Sequence, residues 1–142
     1  MKRTVRLLVA VLPLTLLLAV LGGCWGGGHA LDGTRWKLSG WSANSLDPSK
    51  FEITAEFADG KLSGKSAVNG YGGAYQAGPG AAFSAGQLSS TLMASADPDA
   101  MRAETIYTDL LAHAASYKID GGKLLLLDSA GNETLIFEST SK

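Results

Sequence analysis

A single cysteine, Cys24, stands among the 142 residues, so no disulfide can form within the chain. Only two histidines accompany it, His29 and His113. A zinc or copper site would therefore need carboxylates to complete it, and no His/Asp/Glu cluster at ligand spacing occurs, so no metal is expected. Runs of like charge are missing too. Twelve basic residues oppose thirteen acidic ones, which argues against nucleic acid, whose binders carry clustered Lys and Arg. No apolar run reaches the roughly 20 residues that span a bilayer; the stretch Leu7–Leu21 is shorter and broken by Pro13. No serine lies in a G-x-S-x-G context, and a Ser-His-Asp triad would have to use His113, better placed as a partner for a helix C-terminus. The segment "DGKLSGKS" (59–66) is one residue short of a phosphate loop and joins strand to strand, whereas a phosphate loop must open a helix. No carboxylate pair sits where one pKa would rise above the other. These absences point away from an enzyme and from any dissociable cofactor.

What is present begins at the N-terminus. Lys2, Arg3 and Arg6 precede the apolar run Leu7–Leu21, which ends in small residues, the layout of an export signal. There Leu21-Gly22-Gly23-Cys24 resembles the lipobox of bacterial lipoproteins. The resemblance implies that the Cys24 thiol receives a diacylglycerol by thioether linkage, that residues 1–23 are removed, and that the new N-terminus is acylated again. Only a thiol is this nucleophilic near neutral pH. Each buried methylene adds about 0.8 kcal/mol, so two or three chains make a stable anchor where one would not. The expected organisation is a lipoprotein signal peptide (1–23), lipidated Cys24 with a flexible glycine tether (24–30), and one domain (31–142). Loss of Lys2, Arg3 and Arg6 would leave a net charge of −4.

The domain is punctuated as a β-protein. "FEITAEF" (51–57) alternates, with Phe51, Ile53, Ala55 and Phe57 on one face, and "ADGKLSG" (58–64) turns it back into a second strand. "YKIDGGKLLLLDSAGNETLIFES" (117–139) gives strand, turn, strand, turn, strand. The all-apolar Leu124–Leu127 predicts a strand covered on both sides. Short strands are expected near 34–41, 73–77, 81–84 and 87–91. One helix follows Asp97, an N-cap ahead of Pro98, with Ala103, Ile106, Tyr107, Leu110, Leu111 and Ala114 along one apolar stripe. Arg102, Glu104, Thr108, Asp109 and His113 fall away from that stripe. The expected fold is mainly β (α+β): a small antiparallel, partly open barrel or curled sheet of eight or nine short strands, with one amphipathic helix packed on it.

Four pieces in this order resemble the META-domain (HslJ-like) family of bacterial envelope lipoproteins. "LDGTRWKL" (31–38) matches L-x-G-T-x-W-x-L. "GKSAVNGYGGAY" (64–75) matches G-x-x-G-C-N-x-Y-x-G-x-Y, with Asn69, Tyr71, Gly73 and Tyr75 in place. "STLMAS" (90–95) matches T-x-M-A-C, and "YKIDGGKLLLLDSAGNETLIFE" matches the closing hairpins. Val68 and Ser95 stand where the pattern has cysteines, and Ala67 where it has glycine. The paired loss fits two cysteines that bridged each other in the family. The resemblance implies an envelope protein tied to stress tolerance, without an agreed catalytic activity.

The segment 69–80, "NGYGGAYQAGPG", admits two readings. As a recognition loop it would offer Asn69, Tyr71 and Tyr75 to a ligand, with glycines admitting it to the backbone. As structure, Asn69 would bond local backbone and the tyrosines would brace the barrel. Trp36 is expected to plug the barrel base. The leading expectation is a non-catalytic, lipid-anchored, monomeric module on the cell or outer membrane, facing periplasm or exterior and binding a protein or envelope component. The alternative is a barrel carrier or sensor of a small apolar or lipidic ligand, which would need a dry cavity under the helix.

Overall fold

The computed structural model of the chain describes residues 30–140. The expected signal segment, Cys24 and the tether up to His29 lie outside the described residues. Alternation orients the first strand, β1 (Thr34–Trp41): Trp36 and Leu38 are buried while Arg35 and Lys37 face solvent. The chain then forms β2 (Thr54–Ala58), β3 (Lys61–Lys65), β4 (Gly70–Ala77), β5 (Phe83–Ala85) and the short β6 (Ser89–Ser90). After these come α1 (Pro98–Ala112), β7 (Ser116–Asp120), β8 (Lys123–Leu127) and β9 (Glu133–Ser139).

Every pairing is antiparallel, in the order β5-β4-β3-β2-β1-β9-β8-β7, with β6 beside β4. Two-residue turns set the registers of two hairpins. Asp59-Gly60 and Gly121-Gly122 all have positive φ, the mirror-image turn whose twist matches that of the strands. The far edges meet as well. Ala82 bridges Ser116, and the Phe83 amide donates to the Ala115 carbonyl at 2.9 Å. The sheet therefore curls into a nearly closed barrel, its two edges joined at the seam by this bridge and this hydrogen bond.

Inside lie Trp36, Leu38, Ala55, Phe57, Leu62, Leu124, Leu126, Leu135 and Phe137. Leu125 is buried on the other face of β8, as the apolar run predicts. Asp97 caps α1 by accepting from the Asp99 amide at 2.9 Å. Ala103, Tyr107 and Leu111 of α1 are sealed. The Tyr107 ring meets Tyr71 of β4 and Phe137 of β9, strands separated in the sheet by three others. A ring touching both must stand inside the curl, so α1 closes it with an aromatic plug.

Four expected strands begin or end differently: β4 starts at Gly70, ahead of the expected 73–77, and β5 runs Phe83–Ala85 after a 3-10 turn at Pro79–Ala81, in place of 81–84. The strand over 51–57 starts at Thr54, because a 3-10 turn at Pro48–Lys50 holds the Phe51 amide; Ile53 makes only an isolated bridge to Ser66. The strand near 87–91 shrinks to Ser89–Ser90; the Thr91 amide still bonds the Gly70 carbonyl, and beyond it the Met93 amide and carbonyl are taken by a side chain, Asn69.

Candidate functional site

The turn between β3 and β4 is built around Ala67. Its φ of +82° is a conformation that L residues rarely adopt. The turn lets the Ser66 amide donate to the Asn69 carbonyl at 2.8 Å and aims the Asn69 side chain at the segment leading to α1. Asn69 is 3% exposed, so every polar atom it carries needs a partner. All find one. Oδ1 accepts from the Met93 amide at 2.7 Å and from Thr91 Oγ1 at 2.8 Å; Nδ2 donates to the Met93 carbonyl at 3.2 Å and to Glu104 Oε1 at 2.8 Å. This pattern also fixes which end of the amide is oxygen.

Glu104 is the second half of the clamp. Its Oε2 accepts from the Asn69 amide at 2.7 Å and lies 2.8 Å from Ser66 Oγ, whose one proton is shared with the Asn69 carbonyl at 3.0 Å. Burial alone would raise the carboxyl's pKa. The donors from Asn69, Ser66 and the Val68 amide outweigh that effect and hold it below its ordinary value. The sequence pattern places Glu104 on the solvent side of α1, and the structure corrects this. Glu104 stands one turn before Tyr107, at the flank of the stripe, where a half-buried side chain reaches the β3–β4 turn.

Tyr71 lies deeper. Its hydroxyl donates to the Thr54 carbonyl at 2.9 Å, so the 2.6 Å contact with Tyr107 must use the Tyr107 proton. Burial pushes both phenols well above the usual tyrosine value. The approach requires Gly64, because a Cβ there would lie 2.0 Å from the Thr54 oxygen and 3.1 Å from the Tyr71 hydroxyl. Tyr75, two positions further into β4 than Gly73, faces a different part of the barrel. It meets Phe57 edge-on at 4.9 Å between centroids and stacks on Phe83 at 6.3 Å.

Asn69 and Tyr71 are thus joined in one buried corner, while Tyr75 belongs to a separate aromatic cluster. All three are under a tenth exposed. Trp36 is a core residue, its indole donating to Thr34 Oγ1 at 2.7 Å. Beneath α1 the Tyr107 ring packs edge-on against Tyr71 and Phe137. His113 caps the C-terminus of α1, its Nδ1 2.8 Å from the Asp109 carbonyl. Among the described residues no three His, Cys, Asp or Glu side chains are grouped to hold a metal.

The clamp has an outward consequence. Between the anchored Thr91 and Met93, Leu92 is 99% exposed; Met93 is 57% exposed and Met101, three residues before Glu104, 38%. The segment "STLMAS" was legible as a family motif, but the surface it presents was not, because an isolated Leu-Met in a polar loop carries no periodicity.

Comparisons with known proteins agree with this architecture. The sequence model of the META domain family matches residues 29–141. An NMR structure of a protein from Burkholderia xenovorans is 27% identical, with a TM-score of 0.64, covering 79% of this chain and 85% of that one. A crystal structure of a DUF4847 family protein from Bacteroides vulgatus is 15% identical at a TM-score of 0.53, covering 78% of this chain and 94% of its own, a likeness of fold alone. A search of curated proteins returns no match.

Proposed function

We propose, from the premise that this chain belongs to the META domain family, that it is a non-catalytic cell-envelope module which binds a protein partner from a lipid anchor on Cys24. The lipobox-like Leu21-Gly22-Gly23-Cys24 supports the anchor, and the glycines at 26–28 have the composition of a flexible tether. No helix among the described residues is long and apolar enough to cross a membrane. The module works as a monomer on the cell or outer membrane, facing periplasm or exterior, without metal or dissociable cofactor, in stress tolerance or envelope assembly.

The observation that carries the reading is Leu92. A leucine held wholly in solvent gains nothing for folding, yet both neighbours are bonded to a buried asparagine that is itself bonded to a carboxylate. Such pre-ordering suits a contact surface, since the loop loses little freedom on binding. Flexible, polarisable Met93 and Met101 beside it adapt to a partner's surface.

The test places a photo-crosslinking residue at position 92 or, as control, at exposed Lys118 in the full chain expressed in its own host. A discrete crosslinked protein is expected at 92 only, and Met93→Ser with Met101→Ser should abolish it while the circular dichroism spectrum is kept. Equal crosslinking from both positions would overturn the reading. Intact mass tests the anchor separately. A product beginning at Cys24 with added acyl mass is expected, and an unmodified chain retaining residues 1–23 would sink it.

A further inference from the structure

At the β4–β5 end of the barrel a groove of ≈ 670 Å³ opens between the β4–β5 hairpin and two turns. Its size is that of a small-molecule site. Tyr75 and Phe83 form its aromatic floor, stacked at 26° to each other, and Ala77 and Ala82 extend the apolar surface. Asp32 and Asp59 stand on the rim, both exposed, and neither joins an ion pair among the described residues. No lysine or arginine lines the groove.

Tyr75 is 7% exposed and its hydroxyl has no hydrogen-bond partner among the described residues. Yet none of their buried side-chain polar atoms is both sealed and unpaired. The hydroxyl therefore keeps its contact with solvent through the groove it lines. Burial first, and then the negative charge of Asp32, raise its pKa, so it remains a neutral phenol able to accept a hydrogen bond. Unpaired acceptors and negative charge surround an aromatic floor, the setting in which an ammonium group is held by carboxylates and ring faces together. Two carboxylates without a third ligand make a poor cage for a metal ion.

We propose that this groove binds a small organic amine, its ammonium between Asp32, Asp59 and the Tyr75 oxygen and its apolar body on Phe83 and Tyr75. The groove is built from elements distinct from the Leu92 loop, so the proposal stands independently of the function proposed above.

The experiment titrates the isotope-labelled full chain with phenethylammonium, 2-phenylethanol and 3-phenylpropionate at low salt, following amide shifts. Saturable shifts confined to residues around 32, 59, 75–78 and 82–84 are expected with the amine alone. Asp32→Asn and Asp59→Asn should each weaken binding about threefold, and Tyr75→Phe should weaken it further in a chain that still gives a dispersed spectrum. The proposal is overturned if the alcohol or the carboxylate binds as tightly as the amine. It is equally overturned if no saturation appears, or if the double Asp32→Asn/Asp59→Asn variant binds as the parent does.

Discussion

The corner around Asn69, in the turn that leads into β4, and the groove around Tyr75, near the far end of that strand, treat polarity in opposite ways. At Asn69 every donor and acceptor is spent inside the protein: both ends of the amide, the Glu104 carboxylate and the Ser66 hydroxyl. At Tyr75 a phenol and two carboxylates are left without partners among the described residues. A closed network specifies shape, since removing any member strands the others in a buried site. An open one has its acceptors ready for something that arrives. The family's motif residues are thus divided: Asn69 and Tyr71 hold the barrel and its Leu92 loop in place, while Tyr75 packs on Phe57 and Phe83 and lines the groove.

The largest effect should come from putting a charge into the closed corner. Asn69→Asp replaces the Nδ2 donor by an oxygen facing Glu104 Oε1, where the present distance is 2.8 Å. Two carboxylates cannot both ionise there, and the Met93 carbonyl loses its donor. A loss on the order of 4 kcal/mol is expected from urea unfolding at pH 7, partly recovered as pH falls and one carboxyl is protonated. Destabilisation below 1 kcal/mol would show that the corner is looser than its distances imply.

Glu104→Gln tests the same corner more gently. It keeps the shape but weakens the charge-assisted bonds from Asn69 and Ser66, at a cost of about 2 kcal/mol. The sign of its pH dependence follows from the lowered carboxyl pKa. Unfolded, the group titrates near its ordinary value of 4.5; folded, it holds its charge to lower pH. Its contribution is complete above that ordinary value and is lost as pH falls through the folded one. The gap between parent and Glu104→Gln should therefore be widest near neutrality and close in acid. A gap that stays constant down to pH 3 would refute the assignment of the stabilisation to the charged form.

Much of this architecture is legible in the residues. β1 spans the expected 34–41 and alternates from Thr34 to Leu38, where an irregularity in its pairing interrupts the pattern; Asp97-Pro98 opens the helix, and Gly121-Gly122 closes a hairpin. What escapes is what depends on a partner distant in sequence. Glu104 looks solvated because helical spacing considers α1 alone; the β3–β4 turn that it meets lies 35 positions away. Leu92 looks like any loop residue until Asn69 fixes its neighbours. The groove draws on Asp32, Asp59 and Phe83, three separate segments, and only Tyr75 is suggested by a motif. Ala67 is the instructive intermediate case. The family resemblance puts glycine there, and a φ of +82° shows why. Ala67→Gly should relieve strain and raise stability by about 1 kcal/mol, seen as a higher urea midpoint at unchanged slope. A lower midpoint would mean that the Ala67 methyl contributes more by packing than its backbone costs.

The smallest effect, and the one that most sharpens the contrast, belongs to the groove. Asp59 occupies the first position of the two-residue turn with φ +52°, and asparagine tolerates that conformation at least as well. Asp32 is exposed and unpaired among the described residues. Replacing both by asparagine removes two negative charges that face one aromatic-floored groove with no cation to offset them. Folding stability should therefore stay within about 0.5 kcal/mol of the parent or rise slightly, whereas the single change Asn69→Asp is expected to cost on the order of 4 kcal/mol. Acidic residues that contribute nothing to folding are free to serve binding. If the double variant instead lost several kcal/mol, those carboxylates would be holding the turns together, and the groove would be as closed a structure as the corner it is contrasted with.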